Sequence, residues 1–140
     1  MSFLLAALLV AGGGSTAAYA ALEEEPAAAG ASAYQETRLL FGTARPGGGE
    51  AVTDAEFRSF LGDFVTPRFP DGLTVQEGYG QWRDEHGVIE RERSYELVLY
   101  YPAGDGGESD REIEEIRAEY LKRFGQESVA RVDDRVRVAF

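Results

Sequence analysis

The chemistry-bearing residues of this chain gather in one short stretch and one arginine outside it. Gly78-Tyr79-Gly80-Gln81-Trp82-Arg83 interleaves two glycines, two aromatics, an amide and a guanidinium. Glycine inside a strand weakens it unless another group must approach closely. Gln81 and Arg83 could hold a carboxylate or phosphate, since arginine presents a planar two-pronged donor. The competing and plainer reading is a twisted hairpin whose Arg83 pairs with Asp84 or Glu85. Glu77 beside Tyr79 would make an acid/base pair if buried. Arg68, between Pro67 and Phe69, either anchors a loop or faces a ligand. The expected ligand-binding set is therefore Arg68, Glu77, Tyr79, Gln81, Trp82 and Arg83; no residue is assigned a catalytic role.

Other schemes lack raw material. There is no cysteine, and His86 is the only histidine, set in the polar turn Asp84-Glu85-His86-Gly87. Zinc, haem and copper sites built from those ligands are excluded as working hypotheses, as are Cys-His and Ser-His-Asp nucleophiles. No metal and no cofactor are expected. Arg45 lies in the breaker-rich loop GTARPGGGE (42–50), but the order of a phosphate cradle, G-x-x-x-x-G-K-[ST], is missing. The net charge of −11 opposes binding to nucleic acid or to anionic lipid.

The elements that position these residues follow from periodicity. Tyr34 to Thr43 reads as a first strand. Thr53-Asp54-Ala55-Glu56 is a capping box, opening a helix with Phe57, Phe60, Leu61, Phe64 and Val65 on one stripe. Pro67 ends it. Leu73 to Arg83 and Val88 to Tyr101 are a second and a third strand around the His86 turn. Ser109-Asp110-Arg111-Glu112 repeats the capping-box spacing before a helix carrying Ile113, Ile116, Tyr120, Leu121 and Phe124. Gly125 stands where that helix needs a left-handed residue. Val129 to Val132 is a fourth strand, and Val136 to Phe140 a short fifth or its continuation.

The order β-α-β-β-α-β is the split βαβ, ferredoxin-like arrangement: an α+β fold with an antiparallel four-stranded sheet and two helices on one face. The first and third strands are the apolar ones and should be central, with the second and fourth at the edges. Strand alternation then puts Leu40, Val98, Tyr100 and Trp82 on the helix-free face. Such a face invites a second copy of the chain, a small anionic ligand, or cover by another segment of the same chain.

The N-terminal residues concern destination. Phe3 to Val10 is uncharged and apolar, Gly12-Gly13-Gly14 follows, then Ala18-Tyr19-Ala20. That is the order of a secretory signal, although a positively charged leader is missing. Residues 1–20 are read as a signal peptide cleaved near Ala20, 21–33 as a disordered acidic leader, and 34–140 as the folded domain. The product would be exported, to the periplasm or the medium, with no membrane span after cleavage.

Three blocks carry a family resemblance: Thr37-Arg38-Leu39-Leu40-Phe41-Gly42, Thr66-Pro67-Arg68-Phe69-Pro70-Asp71-Gly72-Leu73-Thr74-Val75 with Gly78 to Arg83, and Arg123-Phe124-Gly125-Gln126-Glu127-Ser128-Val129. They resemble the domain of unknown function 3574 (DUF3574), small bacterial proteins that usually bear an export signal. The resemblance covers about residues 34 to 140. It implies export and a shared fold, and it brings no activity. The cysteine that the family pattern often has near the C-terminus is absent here. From residues and resemblance together, the expectation is an exported binding or interaction module. The alternative is a small cofactor-independent enzyme acting on an anionic molecule, which requires Arg68, Glu77, Tyr79 and Arg83 to converge.

Overall fold

A computed structural model describes residues 28–140. The proposed signal (1–20) and most of the leader lie outside the described residues. Ser32 and Ala33, assigned above to the leader, already belong to the first strand.

The elements run β1 (Ser32–Gly42), α1 (Asp54–Phe60), a π-helical turn (Leu61–Val65), β2 (Thr74–Arg83), β3 (Ile89–Pro102), α2 (Glu108–Phe124) and β4 (Ala130–Val138). The sheet order is β2-β3-β1-β4, with every neighbouring pair antiparallel. The expected α+β sheet is therefore present, with the apolar strands at its centre and the polar ones at its edges. β4 is one continuous strand, so the segment after Val136 is its continuation and not a fifth strand.

Alternation decides the two faces. Thr37, Leu39 and Phe41 of β1 and Tyr95, Leu97, Leu99 and Tyr101 of β3 are buried on one side. Both helices pack there. Phe57 and Phe60 of α1 and Ile113, Ile116, Tyr120 and Phe124 of α2 join the same core cluster. Aromatic rings meet edge-on at its centre: Phe41 to Tyr120 at 4.6 Å, Phe41 to Phe57 at 5.5 Å and Phe60 to Tyr120 at 5.2 Å. Phe57 stacks flat on Tyr95 at 3.9 Å. Packing of this kind adds to the burial of apolar area, which is the main stabilising term.

The helix ends differ from the sequence reading in an instructive way. At α1 the capping box forms as expected: Glu56 N–H donates to Thr53 Oγ1 at 3.2 Å, and Thr53 N–H donates to Glu56 Oε2 at 2.8 Å. At α2 the second capping box does not form. The helix starts at Glu108 after the left-handed Gly107, and Asp105 takes the free donors, Gly107 N–H and Ser109 N–H, at 3.0 Å each. A carboxylate already placed by the turn outcompetes the Ser109 hydroxyl. Gly125 ends α2 at φ 62°, as expected.

The stripe on the first helix is also not continuous α-helix. Thr66 N–H donates to Leu61 O at 2.8 Å, a five-residue step. The wider turn buries Val65 and leaves Leu61 and Phe64 only partly covered.

Candidate functional site

The other side of the sheet carries no helix. Pairing registers arrange its side chains in rows: Trp82 with Glu90, Gly80 with Glu92, Gly78 with Ser94 and Gly42, then Gln76 with Glu96, Leu40 and Ala130. Further along come Thr74, Val98, Arg38 and Val132, and then Tyr100, Glu36 and Asp134. Leu40, Val98, Tyr100 and Trp82 thus share this face, with Leu40 43% and Tyr100 44% exposed.

They do not form one apolar patch. Arg38 lies between them, 3.3 Å from both Glu36 and Glu96, and this charged bar crosses the middle of the face. Tyr100 belongs to the far end; its hydrogen bond with the Glu36 carboxylate, then burial, raise the phenol above its ordinary pKa.

At the near end is a cavity of about 490 Å³. Trp82, Leu40, Glu92, Ser94 and Ala130 line it, with Gly42 and Gly80 contributing backbone and no side chain. Gln126, Glu127 and Ser128, from the turn after α2, close one wall. Trp82 and Glu127 also line a second cavity of about 230 Å³, bounded by the loop from Ala44 to Gly49 and by Asp84, Glu85, His86 and Glu90. The indole borders both, as does Glu127.

Close packing shapes this end of the sheet. A Cβ at Gly42 would stand 2.6 Å from Glu92 Oε1, so only glycine lets the glutamate cross β1. The same carboxylate, through Oε2, accepts from Thr43 N–H at 2.8 Å and Ala44 N–H at 2.6 Å, fixing where the loop leaves the strand. Beneath it Tyr120 donates to Gly42 O at 2.7 Å, and burial raises its phenol pKa well above the ordinary value. The loop is held by Arg45, whose guanidinium donates to Glu50 O, Phe124 O and Glu56 Oε1. Arg45 therefore serves as a clamp, and its donors are not aimed at an anion.

The predicted site residues separate. Trp82 faces the helix-free side, while Glu77, Tyr79, Gln81 and Arg83 alternate to the other side of the edge strand β2. Glu77 is exposed and pairs with Arg93 at 3.2 Å, so it is no buried proton carrier. Tyr79 is 68% exposed, and it and Gln81 reach the rim of the larger cavity. Arg68 is remote: it donates to Glu115 Oε2 at 3.0 Å and Phe64 O at 2.9 Å, and lies 3.7 Å over the Phe64 ring. It lines a different cavity of about 700 Å³, together with Tyr34, Phe69, Tyr100 and Phe140. Arg68 thus lines a different cavity from Tyr79, and Glu77 and Arg83 line neither.

Residues that sequence reasoning missed are those that share a cavity with Trp82: Glu90, Glu92, Ser94 and Glu127. They come from two separate segments, β3 and the turn after α2, and only the strand register and that turn bring them to Trp82. Among the described residues no group of three or more His, Asp or Glu is placed to hold a metal, and no helix is long and apolar enough to cross a membrane.

A family model described as "Protein of unknown function (DUF3574)" matches residues 36–140. No curated protein matches the chain. Among solved structures, a phage SAM lyase in complex with S-methyl-5'-thioadenosine is similar at a TM-score of 0.59 and 13% identity, covering 84% of this chain and 95% of that one. A phage SAM lyase in the apo state is similar at 0.56 and 15% identity, covering 79% and 91%. At such identities the likeness is one of fold alone.

Proposed function

The chain belongs to the DUF3574 family of proteins of unknown function, and we propose that it is an exported module that binds a small molecule on the helix-free face of its sheet, beside Trp82. One observation carries this reading. The only tryptophan of the chain lines an open cavity of about 490 Å³, where two strands present glycine instead of side chains. That volume falls within the range of small-molecule sites, roughly 300–1,000 Å³. A similar fold is known with a small molecule bound, the phage lyase with S-methyl-5'-thioadenosine. Export rests on the order of residues in 1–20, with cleavage near Ala20.

Pairing of two copies through this face has less support. Glu36, Glu90, Glu92, Glu96 and Asp134 stand on it against the single cation Arg38, so a second copy would meet like charge. The enzyme alternative also has less support, since its polar groups are dispersed.

The test is native mass spectrometry of the exported protein purified from its own host. The expected result is a monomer mass with a retained small molecule, an N-terminus at Ala21, and loss of the added mass in Trp82→Ala at unchanged helix content. A ligand-free chain in both forms, with Trp82→Ala altering nothing, overturns the reading. A dimer that Trp82→Ala dissociates replaces it with self-association.

A further inference from the structure

We infer that the Trp82 cavity takes an organic cation: an ammonium or similar onium group on a small apolar body. The inference rests on the binding reading above and adds the charge of the ligand, reversing the anionic ligand expected from the arginines in the sequence.

The first support is the balance of charge around the indole. Glu92 and Glu127 line the larger cavity beside Trp82, and Asp84, Glu85, Glu90 and Glu127 line the smaller one. The basic side chains there are Arg45 and His86. Arg45 is committed to Glu50 O, Phe124 O and Glu56, and His86 Nε2 lies 3.6 Å from Glu85 Oε1. Neither Arg68 nor Arg83 lines either cavity. An anion entering here would find carboxylates and no free guanidinium. A cation would find a concave, partly desolvated wall that concentrates negative potential.

Carboxylates alone would describe much of the surface of a chain with net charge −11. What distinguishes this place is the indole. The cation–π contacts among the described residues go to Phe60, Phe64 and Phe124, each covered by an arginine of its own. The ring pairs of the core join only phenylalanines and tyrosines. Trp82 takes part in neither, although tryptophan is the strongest cation–π partner of the three aromatic types. An indole with no ring stacked on it and no guanidinium over it, between two cavities that both carry carboxylates, has the components that recognise an onium group. Leu40 and Ala130 offer the apolar surface for the rest of such a ligand.

The test titrates the full-length chain with choline and, separately, with neohexyl alcohol, the carbon isostere of choline that lacks its charge. Emission from Trp82 reports directly, because it is the only tryptophan. Saturable choline binding is expected, tighter than binding of the alcohol by about tenfold and weakening as salt is added. The double variant Glu90→Gln, Glu127→Gln should weaken choline binding by about threefold or more and leave the alcohol unchanged. Trp82→Leu, followed by calorimetry, should abolish the preference for choline. The inference is overturned if the alcohol binds as well as choline, if benzoate binds better than either, or if choline leaves the emission unchanged at millimolar concentration. In each of those cases the binding reading stands or falls separately, on the retained mass described above.

Discussion

Gly42 and Tyr120 show how much of the site's shape is set by single residues. Glu92 can reach Thr43 and Ala44 only because Gly42 has no side chain in its path. Gly42→Ala should therefore displace Glu92, free two backbone donors and cost about 1–3 kcal/mol in chemical denaturation. Tyr120→Phe keeps the packing and removes the donor to Gly42 O, so a smaller loss of about 1 kcal/mol is expected. If Gly42→Ala is as stable as the parent, the carboxylate does not hold the loop. Arg68 makes the opposite point. A lone arginine in a proline-rich loop fits either a loop anchor or a ligand contact, and its donors here go to Glu115 with its plane over the Phe64 ring. Sequence shows which residue has a fork of donors, but not which acceptor lies nearest.

At the scale of elements, the capping of α2 offers a direct comparison. Asp105 and Ser109 compete for one helix start, and the aspartate, already in place from the turn, takes it. Its hydrogen bonds with Ser109 hold its carboxyl below the usual range. Asp105→Ala should cost about 1 kcal/mol, whereas Glu112→Ala, which would remove the capping box expected from sequence, should cost almost nothing. Thermal melts of the two variants separate these outcomes. The first capping box was legible because its partners are three residues apart and nothing else competes. The π-helical turn at Leu61–Val65 was not legible, because the apolar spacing fits an α-helix equally well. The wider turn appears only when Phe60 and Val65 must both reach the same sheet.

For the molecule as a whole, acidic groups govern how stability responds to pH. Arg131 on β4 reaches Asp110 and Glu114 of α2 at 2.8 Å each, and Asp133 at 3.0 Å, tying the edge strand to the helix. Hydrogen bonding from Arg131, with Arg117 adding to it, lowers the Glu114 carboxyl from its ordinary 4.5. Asp54, held first by Arg58, and Glu56, held first by Thr53, are lowered too. A lowered pKa means that the folded chain binds fewer protons than the unfolded one. The stabilisation is thus complete above about pH 4.5 and disappears as pH falls below the folded-state values. Arg131→Ala should melt lower than the parent at neutral pH, and the gap should narrow steadily below pH 4.5. A gap that stays constant into acid would show that the Arg131 cluster is not the source.

The fold class, the burial of alternate residues, and the central position of the first and third strands were determined by sequence alone. They depend on short-range periodicity and on the requirement that apolar residues leave water. The sharing of one face by Leu40, Val98, Tyr100 and Trp82 was legible for the same reason. The tertiary structure decided which side chains became neighbours across strands. It set Arg38 in a charged bar across the face, sent Glu77 to Arg93, and brought Glu90, Glu92 and Glu127 around the indole. Those juxtapositions join residues far apart in the chain, and pairing register and loop paths are properties of the whole packed sheet. The sign of the charge around Trp82 is such a property, and no local window of residues contains it.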